Sequence, residues 1–268
     1  MSKGILGFGC SFMWGEGLYY YANLENIPIS ENHTYDSSEI RHSMLEYKNR
    51  YRFLRLVADY YDTWEYKDNE SNGGTNIEEY YHSFYNKLIN HDVKMTDFKL
   101  VIWQLTQPMR DNPLSNDYTL YLTEPKNHHG YEINAYNEYK FIEKNQIDRT
   151  LYFIDRRCEE FEKLGIKVVT IPWCSEFYEN KIYQDKFMNR HVPLTFGNIT
   201  VNAFDIIVME DTDFDDKKKL NITVSSDFRD KGLQINDSHF NRRGHEFVAK
   251  SIIEKLNKDN FTKDEFLK

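Results

Sequence analysis

Gly4-Ile5-Leu6-Gly7-Phe8-Gly9-Cys10-Ser11-Phe12 is a short apolar run that closes on glycine, cysteine and serine. A run of this length, without the polar-apolar alternation of a half-exposed strand, reads as a β-strand buried on both faces. A serine on the sharp turn after such a strand has its hydroxyl exposed and its amide aimed into a cleft. Residues 100–105, 167–172 and 205–209 repeat the apolar pattern, and residues 63–66 are a fifth candidate strand. Helix-length segments lie between them at residues 43–61, 77–89, 131–164 and 244–256. Such alternation predicts an α/β fold, a three-layer α/β/α sandwich around a mostly parallel five-stranded sheet. Ligands bind such sheets beyond the carboxyl ends of the strands, so Ser11 and the segments after Tyr66 and Trp103 are expected on one rim.

No proline- or glycine-rich linker divides the 268 residues, so a single domain over residues 1–268 is expected. Residues 111–130 are long for a plain connection and read as a lid or a surface excursion. Residues 211–219 shift from acidic to basic and read as a solvated loop. A formal charge of −9 disfavours general attraction to phosphate backbones, which argues against nucleic acid as the main partner. No apolar stretch approaches the roughly 20 residues of a membrane helix. The three cysteines, Cys10, Cys158 and Cys174, are scattered without metal or disulfide spacing and fit a reducing cytoplasm. An N-terminus that enters a core strand by Gly4 leaves no room for a signal peptide. The wealth of Asn, Lys, Ile, Tyr and Phe points to an AT-rich genome, viral or bacterial.

Near the other end stands Asp237-Ser238-His239, just before the last helical segment. An imidazole beside a carboxylate can activate a serine hydroxyl, and catalytic groups converge through folding rather than along the chain. Positions two apart do not face each other on a helix, so Asp237 can support His239 only from a turn. A competing reading makes Asp237, His239 and His245 a metal site, although no further ligand motif accompanies them. Cys10, on the opposite side of an extended chain from Ser11, reads as core packing rather than as a nucleophile.

Phe8-Gly9-Cys10-Ser11-Phe12-Met13-Trp14-Gly15-Glu16-Gly17 resembles the first block of the SGNH/GDSL hydrolase family, in a branch with cysteine before the serine. Asp237-Ser238-His239-Phe240-Asn241-Arg242-Arg243-Gly244-His245 is similar to its last block, although the aspartate more usually stands three residues before the histidine, where this chain has Asn236. The resemblance implies a flavodoxin-like sandwich in which Ser11 attacks an ester carbonyl, His239 takes the proton and Asp237 steadies the imidazolium. No cofactor is implied. Ser71-Asn72-Gly73-Gly74-Thr75-Asn76 resembles the second block and offers Gly74, or alternatively Gly73, as an oxyanion donor beside the Ser11 amide; a plain turn capped by Thr75 or Asn76 explains the same residues. The third block's asparagine is absent from Gln104-Leu105-Thr106-Gln107-Pro108-Met109-Arg110, leaving Thr106 or Gln107 as the further donor.

Trp14, Glu16, Asn76 and Arg110 are candidate substrate contacts. Their structural alternatives are a core aromatic, a helix-start acid, a cap and a surface ion pair, respectively. The expected activity is hydrolysis of a carboxylic ester, of the kind formed by acetate on a carbohydrate, with a small-molecule or carbohydrate ester as partner. Acyl transfer, a noncatalytic binding or structural module on the same fold, and a metal-dependent phosphoesterase are the alternatives.

Overall fold

Four of the five expected strands pair into one sheet in the computed structural model of the chain. They are β1 (Gly4–Phe8), β2 (Glu65–Lys67), β3 (Phe98–Leu105) and β4 (Lys167–Pro172), all parallel, in the order β2-β1-β3-β4. The structure describes residues 2–9, 11–18, 21, 47–67, 77–90, 92–105, 132–172, 175–196, 199–201, 221–224, 226 and 239–268. The expected strand at 205–209 and the expected lid at 111–130 lie outside them.

β1 is buried along its whole length, as its lack of alternation requires. β2 starts two residues later than expected because the preceding side chains tie it to the N-terminus: the Trp64 indole donates to the Ser2 carbonyl at 3.0 Å, and the Thr63 hydroxyl donates to that of Lys3. β3 starts two residues earlier than its apolar run, since Lys99 is half-buried and pairs with Glu265 at 3.7 Å. Beside β4 a single parallel bridge joins Thr170 to His191, with the Thr170 amide donating to the Arg190 carbonyl at 2.8 Å and the Val192 amide to that of Thr170 at 2.9 Å. A separate antiparallel pair is formed by β5 (Leu194–Phe196) and β6 (Ile199–Val201).

Helices cover both faces of the sheet. Successive strand residues point to opposite sides. Over Gly7 lie Met13 of α1 (Ser11–Trp14) and Leu54 of α2 (Phe53–Tyr60). On the other side Phe8 packs against Tyr81 and Phe84 of α3 (Ile77–Ile89), Phe161 of α4 (Glu132–Lys163) and Trp103, with ring centroids 4.7–6.3 Å apart. Short helices α5 (Ser175–Glu179) and α6 (Lys181–Lys186) follow β4, and α7 (Arg242–Lys258) packs on α2. Among the described residues no helix is long and apolar enough to cross a membrane.

The helix expected across 43–61 is broken. Residues 47–51 are helical, Arg52 turns extended (φ −64°, ψ 145°), and the helix restarts at Phe53. Partners remote in sequence stabilise the break: Arg52 reaches Glu65 of β2 at 2.9 Å, and the Phe53 amide, without a helical acceptor, donates to His245 Nδ1 at 3.3 Å. Burial pushes the Glu65 carboxyl above its ordinary range, and Arg52 offsets this only in part.

Arg190 clamps α4. Its guanidinium donates to both Glu162 oxygens at 2.7 Å and to Asp155 at 2.8 Å, with both Arg190 and Asp155 buried. Burial opposes the Asp155 charge, but hydrogen bonds from Lys186 and Arg190 outweigh it and hold the carboxyl below its usual range. Removing one partner of a buried pair strands the other charge. Asp155→Ala is therefore expected to cost about 3 kcal/mol in urea unfolding, and an unchanged midpoint would show that the clamp contributes nothing net.

Candidate functional site

β1 lies between β2 and β3, so the chain steps to one side of β1 for β2 and crosses to the other for β3; at such a reversal of strand order the carboxyl ends of the strands are the usual ligand site. Ser11 follows the carboxyl end of β1. Gly9 is buried after the end of β1, Ser11 starts the four-residue α1, Gly15 takes a left-handed φ of 83°, and Glu16–Leu18 makes a 3₁₀ turn. Beside Gly9 stands Gln104 of β3, 2% exposed, whose Oε1 lies 2.8 Å from where a Cβ on Gly9 would stand. Only glycine fits between this amide and Met13, whose Cβ is 2.9 Å from the same point. The sequence signal for Gln104 was a polar residue inside an otherwise apolar strand.

The opposite end of the chain comes to the same turn. A Cβ on Gly17 would lie 2.7 Å from His239 Cβ, 2.8 Å from the Phe240 carbonyl oxygen and 2.8 Å from Val224 Cγ2. Hence the bend carrying His239 rests directly on the backbone that follows Ser11. The histidine's bend thus meets the chain six residues after Ser11. His239 is half-buried. Its carbonyl accepts from the Val224 amide at 2.9 Å, and the Asn241 amide donates to the Ile222 carbonyl at 2.8 Å. Buried Asn241 caps α7, accepting from the Gly244 amide at 2.9 Å while its own amide group donates to the Asn221 and Thr223 carbonyls at 2.7 and 3.1 Å. Asn241, part of the last motif, carries no role of its own in the sequence reading, although asparagine just before a helical segment is a cap signal.

His245 is fully buried, its ring between Phe53 and Phe240 with centroids 5.9 Å from each. Because Nδ1 accepts from Phe53, the proton of the neutral ring sits on Nε2, which has no partner among the described residues. Burial first, then the neighbouring His239 and Arg52, pulls its pKa down to about 3. This position is part of the packing between α7 and α2. No group of three or more His, Cys, Asp or Glu is gathered to hold a metal among the described residues.

The half-buried Trp14 has Lys48 Nζ 3.2 Å from its ring centre, with Lys48 itself only 1% exposed. This contact makes at least one face of the indole part of the packing, in line with its structural alternative. Glu16 begins the 3₁₀ turn. Asp237, Gly73, Gly74, Asn76, Thr106, Gln107, Arg110 and Cys10 lie outside the described residues.

No family model, curated protein or solved structure matches the chain.

Gly17→Ala is expected to force the His239 bend off the turn. Any activity that needs both ends of the chain should fall by about tenfold or more, and an alanine variant of full activity would show that the contact is irrelevant. A second expectation concerns pH. His191, whose Nδ1 pairs with the Tyr183 hydroxyl at 2.9 Å, is pulled down to about 4 by burial and by Lys255. Both His191 and His245 are thus neutral in the fold, whereas in the unfolded chain they protonate near 6.5. Their contribution is fully present above that pH and is lost as pH falls towards 4 and 3. At pH 5 each should cost about 2 kcal/mol, read as a declining urea midpoint between pH 7 and 5 that His191→Gln makes shallower. A flat profile would refute the neutral assignment.

Proposed function

We propose that the chain is a serine esterase of the SGNH type. The observation that carries this reading is the contact between the Gly17 turn and the His239 bend, which joins the two motifs where a parallel sheet reverses its strand order. The order β2-β1-β3-β4 also agrees with the first four strands of a flavodoxin-like sheet, and helices on both faces agree with a three-layer sandwich.

In this reading the Ser11 hydroxyl attacks the carbonyl carbon of an ester, and His239 accepts its proton as the C–O bond forms. Asp237 steadies the imidazolium. The oxyanion is met by the Ser11 amide, by Gly74 or Gly73, and by Thr106 or Gln107. His239 then returns its proton to the leaving alcohol, giving an acyl-serine, and the same base activates the water that releases the acid. Trp14, Glu16, Asn76 and Arg110 are the candidate substrate contacts, with a small acyl group such as acetate on a carbohydrate as the substrate. An alcohol in place of water would make the same centre an acyltransferase.

A fluorophosphonate probe tests this. Labelling should map to Ser11, vanish in Ser11→Ala and His239→Ala, and resist a chelator, with parallel loss of p-nitrophenyl acetate hydrolysis. Absence of both labelling and hydrolysis would favour a noncatalytic binding module, and chelator-sensitive turnover without labelling would favour a metal enzyme.

A further inference from the structure

His245 occupies the fourth position of α7, and Phe240 the position just before the Asn241 cap. These two places form the apolar clasp that sets the angle at which a chain joins its helix. Here the clasp is aromatic, with the Phe240 and His245 rings edge to face at 5.9 Å and 86°. The same imidazole stacks on Phe53 and accepts the Phe53 amide at the point where the 47–60 helical region is interrupted. The helical stretch before that interruption packs on the serine's turn, since a Cβ on Gly15 would lie 3.1 Å from both Lys48 Cγ and Arg52 Cβ. One ring therefore ties the segment carrying His239 to the segment that backs the turn after Ser11.

We infer that His245 is a positioning residue for His239, holding the 239–241 bend against the Ser11 turn through its ring contact with Phe240 and its hydrogen bond from the Phe53 amide. The inference rests on the proposed esterase reading for its catalytic consequence, but the placement of the bend can be read without catalysis. His245 does not touch substrate. Its two functions separate chemically: phenylalanine keeps the ring and removes the acceptor, whereas asparagine keeps an acceptor and removes the ring.

Hydrogen exchange and kinetics on His245→Phe and His245→Asn test this. In the Phe variant the Phe53 amide should exchange about tenfold faster. In the Asn variant the Val224 and Asn241 amides, which pin the His239 bend, should do so, while β3 amides stay unchanged in both. Hydrolysis of p-nitrophenyl acetate should show kcat reduced about tenfold with KM within about twofold in both variants. Unchanged exchange at Val224 and Asn241 in the Asn variant would overturn the inference, as would unchanged kcat in both variants of a wild type that turns over. If the wild type neither labels nor turns over, the esterase reading fails, and exchange at the bend alone decides whether His245 holds it.

Discussion

β1 is hydrogen-bonded to a neighbour along both edges and covered by helices on both faces, so no part of it can be given to solvent. This confinement dictates how the chain must leave the strand. Gly7 leaves room for Leu54 and Met13, and Gly9 passes beneath the Gln104 side chain, so the direction in which the chain exits the sheet is set by packing. Phe8 and Trp103, fully buried side by side on adjacent strands, each add about 1.5–3 kcal/mol of apolar burial to the side from which α3 and α4 approach. Ser11 thus follows a strand whose exit from the sheet is set by packing.

The far end of the chain reaches that turn through close backbone contacts. Gly244 has the Ile222 carbonyl oxygen 2.5 Å from the place a Cβ would take, Asn241 fastens three backbone groups, and Gly17 receives the bend without a side chain between. Small residues at these places bring 15–18, 221–224 and 239–245 together more closely than larger ones would permit. The buried imidazole of His245 then completes the junction with α2.

β1, β3 and β4 were legible because a parallel strand buried on both faces is continuously apolar, as in 100–105 and 167–172. Their margins were less so. Phe98 belongs to β3, but Lys99 interrupts the pattern there, and Thr63 and Trp64 look like strand while binding the N-terminus. The interruption at Arg52 was illegible, because its amphipathic surroundings are those of a continuous helix and its partners, Glu65 and His245, are 13 and 192 residues away from Arg52 and Phe53. At the candidate site, the meeting of the two motifs was illegible, since no periodicity encodes a contact between Gly17 and His239. For His245 the sequence offered only a competing metal reading with Asp237 and His239, and its surroundings make it a core acceptor.

Arg190 has two attachments that the chain could have kept separate. Its side chain neutralises Asp155 and Glu162 on α4, while its backbone carbonyl receives the Thr170 amide at the outer edge of β4. Among the described residues, 190–192 are what meets that edge. One residue therefore couples the ion pairs on α4 to the backbone ladder of β4, so a change that frees the guanidinium also disturbs the carbonyl to which Thr170 donates.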